Sequence, residues 1–283
     1  MINVKDLRFS YPGKTGLTLK GIDFQIGRGE SFGFLGPSGA GKSTTQKILI
    51  KLQPGYTGLV EVMDRPLAAW DKAYYNHIGV GFELPNHFAK LRALENLRFF
   101  GSFYDRSLRD PLELLAMVGL EQDANKRTSD FSKGMKMRLN FVRALMHDPE
   151  ILFFDEPTSG LDPVNARRMK DIILDLKAKG KTLFITTHNM HDAEELCDRV
   201  AFIVDGQIRL VDAPKALKLR HGSRTVKVEY LNGRAVVKEF PLDGLGQHEE
   251  FLRILREEAI ETIHSEEASL ESIFIQVTGQ RLS

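Results

Sequence analysis

Gly36-Pro37-Ser38-Gly39-Ala40-Gly41-Lys42-Ser43-Thr44 decides how this chain is read. The run fits G-x-x-x-x-G-K-[ST], a loop that cradles phosphates, with both glycines, the lysine and the serine in register. A triphosphate needs several backbone N–H groups aimed at one point, and the conformations that do this suit glycine. The loop then opens a helix whose N-terminus carries partial positive charge. Lys42 is placed to reach the β- and γ-phosphates, and the Ser43 hydroxyl to take a position on Mg²⁺. Ser31 to Leu35 before the loop is a short apolar run of buried-strand type, and Thr45 to Leu52 after it has helical spacing.

Such a loop needs an acidic partner at the end of a hydrophobic strand. Ile151-Leu152-Phe153-Phe154-Asp155-Glu156 supplies it. Asp155 is expected to hold the metal, directly or through water. Glu156 is placed to orient or deprotonate an attacking water.

The 39 basic and 38 acidic residues nearly cancel across 283 residues, so nothing suggests nucleic-acid steering or a polybasic membrane patch. Cys197 stands alone, which excludes an intrachain disulfide and fits a reducing compartment. It reads as a small buried hydrophobe. No run approaches the roughly 20 apolar residues of a membrane helix, and the first residues lack the apolar core of a signal peptide. The expectation is a cytosolic chain whose membrane role, if it has one, comes through a partner.

Working outward, Leu7 to Tyr11 reads as a strand ended by Pro12-Gly13, and Leu17 to Ile26 as a second strand pair. Residues 57–63 alternate like a strand. Leu91, Leu94, Leu97 and Phe100, then Leu112, Leu115 and Val118, then Met135 to Met146, predict three helices. Val164 to Lys179 is an amphipathic helix, Thr182 to Thr186 a buried strand, and Val200 to Val211 a hairpin about Asp205-Gly206. Residues 225–240 form a hairpin about Asn232-Gly233, with helices over 249–258 and 269–277. Strands separated by helices imply a parallel sheet covered on both faces. A boundary near 215 divides the chain into 1–214 and 215–283.

Together these residues resemble the nucleotide-binding subunit of the ATP-binding cassette (ABC) family. Phe131-Ser132-Lys133-Gly134-Met135 sits where that family carries its Leu-Ser-Gly-Gly-Gln signature, with Ser132 placed 23 residues before Asp155. Ser159-Gly160-Leu161-Asp162 matches the family's dimer-interface loop, and His188 in Thr186-Thr187-His188 its switch histidine. Tyr11 falls where an aromatic stacks on adenine. The match covers about residues 1–212.

The resemblance implies a P-loop NTPase α/β fold: a three-layer core, an N-terminal antiparallel β portion, a helical insert over about 85–150 and a small α+β tail. It implies ATP and Mg²⁺ as cofactors, with ATP held by Tyr11, Gly36 to Thr44, Ser132, Gly134 and Asp162. Ser132 and Gly134 would reach the γ-phosphate bound to an opposite subunit, so a homodimer or heterodimer follows. Catalysis falls to Lys42, Glu156 and His188, and the metal to Ser43, Asp155 and Glu83. Glu83 departs from the family, which usually has glutamine after Ile-Gly-x-x-Phe; here Ile78-Gly79-Val80-Gly81-Phe82 precedes a carboxylate, which can also ligate Mg²⁺. Lys133 and Met135 replace a glycine and the glutamine of the signature. The segment Leu84-Pro85-Asn86-His87-Phe88, with Leu91, is where a short helix of an integral membrane permease would dock at the cytoplasmic face of the membrane. The signature and the Ala268-to-Phe274 ending resemble the exporter branch, including drug and antibiotic exporters, and Glu83 a subset tied to fluoroquinolone export. A soluble ABC protein of translation or DNA repair is the alternative; it would bring ribosomes rather than a membrane protein. A small-molecule P-loop kinase would need neither the signature nor His188.

Overall fold

The computed structural model describes residues 1–13, 15–221, 225–266 and 268–280. The chain divides into two units, Met1–Ala213 and Pro214–Gln280.

In the first unit, β1 (Ile2–Phe9) and β2 (Leu19–Ile26) pair antiparallel. Next come β3 (Ser31–Leu35), α1 (Lys42–Leu49), β4 (Thr57–Val62), β5 (Arg65–Pro66) and β6 (Ile78–Gly81). The helical insert holds α2 (Ala93–Gly101), α3 (Pro111–Met117) and α4 (Lys133–Arg143). Then follow β7 (Ile151–Asp155), α5 (Pro163–Ala178), β8 (Thr182–Thr187), α6 (Met190–Leu196), β9 (Arg199–Val204) and β10 (Gln207–Asp212).

One sheet runs in the order β2-β1-β4-β5, and the other β10-β9-β3-β8-β7-β6. In the second sheet β6, β7, β8, β3 and β9 are parallel and only β10 is antiparallel. Strands β3 and β8 are buried at every position, as a parallel sheet covered on both faces requires. Phe24 of β2 stacks on Phe32 at 5.7 Å and meets Phe34 at 5.5 Å, joining the two sheets through one core. Burying each such ring contributes about 2–3 kcal/mol. The parallel strands deliver their C-terminal ends to one edge, where open α/β sheets place ligands. Leu35, Asp155 and Thr187 end there.

Two strand expectations change. Residues Leu17 to Ile26 hold one strand, β2, and its partner β1 starts at Ile2 rather than Leu7. The cause is a register shift between Val4 and Leu7, with Asp6 at φ 46°. The irregularity breaks the apolar alternation that a sequence reading follows.

Two histidines of this unit, half-buried His87 and buried His147, shape its response to acid. His87 Nε2 lies 2.9 Å from the Lys136 carbonyl and His147 Nε2 2.9 Å from the Ile78 carbonyl, so each ring is placed to donate there. Burial pulls both down to about 4. The unfolded chain, with histidines near 6.5, takes up these protons first. Their stabilisation is therefore full above about pH 6.5 and is lost as pH falls towards 4. The melting temperature is expected to drop between pH 7 and pH 4.5, before most carboxylates titrate; a flat profile over that window would count against the two rings being held neutral.

In the second unit, α7 (Pro214–His221) packs with α9 (Leu270–Thr278), and Leu217 of the first and Leu270, Ile273 and Phe274 of the second are buried. Strands β11 (Thr225–Leu231) and β12 (Ala235–Pro241) form the hairpin about Gly233, whose φ is 66°. Helix α8 (Glu249–Glu257) buries Phe251 and Ile254 against Val226, Val228, Tyr230 and Phe240. Strand β13 (Ala259–Glu266) completes the order β12-β11-β13. It goes unread in the sequence because Glu261, Thr262, His264 and Ser265 show no apolar alternation.

Candidate nucleotide site

The loop from Gly36 to Gly41 bridges β3 and α1. An added Cβ on Gly36 would lie 2.1 Å from the Ile203 carbonyl oxygen of β9, so the first glycine is required by close approach. Gly41 caps α1 at φ 114°, a conformation that L side chains rarely adopt. Lys42 Nζ donates to the Gly36 carbonyl at 2.5 Å and the Pro37 carbonyl at 3.1 Å. Burial lowers the Lys42 pKa, while Glu156, Asp155 and Glu83 hold it up.

A pocket of about 260 Å³ is lined by Ser38, Gly39, Gly41 to Thr44, Glu83, Asp155, Glu156 and His188. The three carboxylates and the lysine expected to meet a nucleotide thus face one space. Asp155 ends β7 and accepts from the Thr186 hydroxyl of β8. Burial raises its pKa and Glu83 adds to this, whereas the Thr186 hydrogen bond and Lys42 oppose it. Asp155, Glu83 and the Ser43 hydroxyl are hard oxygen donors, the chemistry Mg²⁺ prefers. Among the described residues no group of three or more His, Cys, Asp or Glu forms a metal cage.

Glu156 is buried and sits at φ 48°, a sparsely populated region for a non-glycine residue. Its backbone N–H donates to the Thr186 carbonyl at 2.9 Å. The carboxylate accepts from the Thr187 hydroxyl at 3.0 Å, the His188 N–H at 2.9 Å and His188 Nδ1 at 2.7 Å. Three donors thus hold the Glu156 carboxylate in place. Tyr11 reaches the same loop: its hydroxyl is 3.2 Å from Thr44 Oγ1, and its ring meets Phe9 edge-on at 4.9 Å.

The remaining sequence-expected residues lie outside this pocket. Ser132 is exposed and caps α4, accepting from the Met135 N–H at 3.2 Å. Asp162 is exposed and caps α5 through Asn165, whose donors lower its pKa. Lys133 lies beside Gly160. Cys197 is buried, and burial pushes its thiol up to about 12, which leaves it inert.

Sequence reasoning passed over Asp192. It is 5 % exposed and accepts from the Thr158 hydroxyl, two residues after Glu156. It also pairs with Lys170 at 2.9 Å, and Lys170 pairs with Glu195 at 2.7 Å. The helix that follows His188 is thereby tied to the loop that follows Glu156. Its only signal in the sequence is the spacing of Asp192 and Glu195 on one helix, which any solvated face would share.

Comparison with known proteins agrees with this geometry. Residues 19–159 match the ABC transporter family model, and residues 224–267 match the model of the fluoroquinolone efflux ABC transporter C-terminal domain. A fluoroquinolones export ATP-binding protein of Mycobacterium tuberculosis strain H37Rv is 54% identical over 285 residues, covering 100% of this chain and 95% of that protein. A linearmycin resistance ATP-binding protein of Bacillus subtilis is 31% identical, covering 100% of this chain and 99% of that one. Nod factor export ATP-binding protein I of Rhizobium sp. strain N33 is 34% identical over 93% of this chain and 86% of its own. Among solved structures, the dimeric post-hydrolysis state of the ATP-binding cassette MJ0796, bound to ADP and Pi, superposes with a TM-score of 0.69. It is 28% identical and covers 75% of this chain and 98% of its own. With a phosphate loop, a strand-end acid pair and a trailing histidine around one pocket, and relatives matched along its whole length, this chain belongs to the ABC transporter family as an ATP-hydrolysing, ATP-binding subunit.

Proposed function

We propose that this subunit drives export of a fluoroquinolone-class drug through a separate integral membrane permease, docked at the cytoplasmic face of the membrane. The observation that carries the reading is an exposed apolar patch one residue from the pocket wall. Leu84 is 76 % exposed, Phe88 48 % and Phe103 66 %. Phe88 meets Phe99 edge-on at 4.7 Å, and Phe99 meets Phe103 at 5.2 Å. A contiguous patch of this kind suits a protein partner. The backbone beneath it is cross-linked: buried Asn96 accepts from the Phe88 N–H, and its two amide hydrogens are shared among the Phe88, Leu91 and Arg92 carbonyls. Arg143 also holds the Asn86 carbonyl at 2.7 Å. Movement at Glu83 would therefore carry the patch with it. Among the described residues no helix is long and apolar enough to cross a membrane, so the path for cargo is assigned to the partner. The drug class rests on the 54% identity along the whole chain and on the C-terminal match.

A second copy, or a similar subunit, completes the ATP site. Ser132 and Gly134 are absent from the pocket lining of their own chain. An added Cβ on Gly134 would meet nothing closer than Leu161 Cδ2 at 3.4 Å, an ordinary contact. Gly134 is the second residue of α4, and nothing among the described residues requires a glycine there. Close approach of a nucleotide on the opposite subunit supplies the reason.

In that closed site the loop N–H groups and Lys42 grip the phosphates, and Tyr11 lies where adenine would stack. Ser43, Asp155 and Glu83 form the metal side. Mg²⁺, when bound, neutralises charge shared between the β- and γ-phosphates. Glu156 orients the attacking water and accepts its proton. Contact of the His188 ring with the γ-phosphate would turn it from Glu156 Oε1, leaving that oxygen with the His188 backbone N–H as its donor and a lone pair open to water. Hydrolysis then reopens the dimer.

Two measurements test these assignments. Glu83→Ala is expected to slow phosphate release about tenfold, the size of one lost charge-assisted contact, and Glu83→Gln less. Turnover equal to the parent chain in both would remove Glu83 from the metal side. Phe88→Asp is expected to abolish drug efflux by cells carrying the subunit and its permease while basal ATPase of the purified chain stays within about twofold of the parent. Efflux that persists would place the permease elsewhere, and loss of folding would mean that Phe88 serves packing alone.

A further inference from the structure

Two polar side chains are fully buried at the metal-side acid, one of them in contact with it. Thr186 of β8 is 0 % exposed and Gln46 of α1 is 2 % exposed. They lie 140 residues apart in the sequence and touch, with Thr186 Oγ1 at 3.3 Å from the Gln46 side-chain amide. Burying either group without a hydrogen bond costs about 1–3 kcal/mol, so their joint presence beneath the pocket floor calls for a partner.

Counting hydrogens identifies it. Around the Thr186 hydroxyl stand Asp155 Oδ1, the Gln46 amide at 3.3 Å and the Phe154 carbonyl at 3.4 Å. A hydroxyl has one hydrogen to donate and lone pairs left to accept. Asp155 is the nearest neighbour, and an ionised carboxylate only accepts, so the hydrogen goes there. An amide oxygen facing Thr186 would then meet only lone pairs, while Gln46 Nε2 stands buried with no partner. A half-turn of the amide removes the conflict, since oxygen and nitrogen exchange places without changing its shape. The nitrogen then donates to Thr186 and gains one hydrogen bond.

We infer that Gln46 and Thr186 form a donor relay, Gln46 Nε2–H to Thr186 Oγ–H to Asp155 Oδ1, that fixes the rotamer of the metal-side carboxylate. The relay rests on the reading of Asp155 as a metal-side residue. Its members never touch the nucleotide; they are positioning residues. The outer bond polarises the hydroxyl and strengthens the inner one. Asp155 Oδ1 accepts from the relay, while Oδ2 takes no part in it. Outer-sphere hydrogen bonds of this type typically alter metal affinity by 10–100-fold when removed.

The test uses the full chain and Mn²⁺ as probe, read by electron paramagnetic resonance in the presence of ADP. ADP binding without metal is measured in parallel. Thr186→Val keeps shape and removes the hydroxyl; about tenfold weaker Mn²⁺ binding is expected, with metal-free ADP affinity unchanged. Thr186→Ser should restore it. Gln46→Met fills similar space and removes the donor, with an expected loss of about threefold. The double variant should bind Mn²⁺ no worse than Thr186→Val alone, because the outer bond acts only through the inner one. Unchanged Mn²⁺ affinity in Gln46→Met, or additive losses in the double variant, would overturn the relay. Loss of metal-free ADP binding in Thr186→Val would reveal structural damage, and the Ser and Met variants then decide. Weak Mn²⁺ binding that also ignores an Asp155→Asn change would instead remove Asp155 from the metal, and the relay's purpose with it.

Discussion

Glu156→Gln is expected to bind ATP as tightly as the parent chain and to lose hydrolysis by about 10²–10⁴-fold, the range of a positioned general base. The structure gives the reason for both halves. The side chain is buried at φ 48° and fastened by Thr187 and His188, so glutamine of the same length keeps the fold. Its amide oxygen can accept from His188, and its nitrogen can donate to the Thr187 hydroxyl. It cannot take a proton from water. ATP affinity by a fluorescent analogue and phosphate release in single turnover separate the two effects. Turnover within about threefold of the parent chain would take Glu156 out of the base role.

Gly36→Ala is expected to weaken ATP binding by at least about a hundredfold, or about 2.7 kcal/mol. The new methyl would fall 2.1 Å from the Ile203 oxygen and 3.2 Å from its carbonyl carbon. That neighbour is backbone of β9, paired to both β3 and β10, and has nowhere to go. The loop must move instead, and it carries the carbonyl that anchors Lys42. Overpacking of this kind also costs about 1–3 kcal/mol of stability. Gly39→Ala makes the contrast. It has open space around it and only an unfavourable φ of 80°, so a loss of about 1 kcal/mol is expected. Equal effects in the two variants, by calorimetric titration with ATP, would contradict the steric account.

What the sequence made legible is the chemistry that is local in the chain. Gly36 to Thr44, Ile151 to Glu156 and Thr186 to His188 each hold their pocket-lining residues within a short run, and the parallel strands bring their ends to one edge. Contacts between distant segments left no such mark. Gln46 and Thr186 read as ordinary helix and strand residues until the fold places one above the other. Asp192 reads as a solvated acid until Lys170 and Thr158 close over it. Strand β13 is held by backbone pairing with β11 rather than by an apolar face, so its side chains do not announce it. Ser132 and Gly134 are legible as a motif, yet one chain does not bring them to its own pocket. Their place in the account depends on a second subunit.

The most direct measurement is a detergent-extracted pull-down of the tagged chain from native membranes, with mass spectrometry of what accompanies it. Recovery of a polytopic membrane protein, lost on Phe88→Asp, is the predicted result. Recovery of soluble partners or ribosomes alone, with ATP hydrolysis intact, would contradict the proposed exporter.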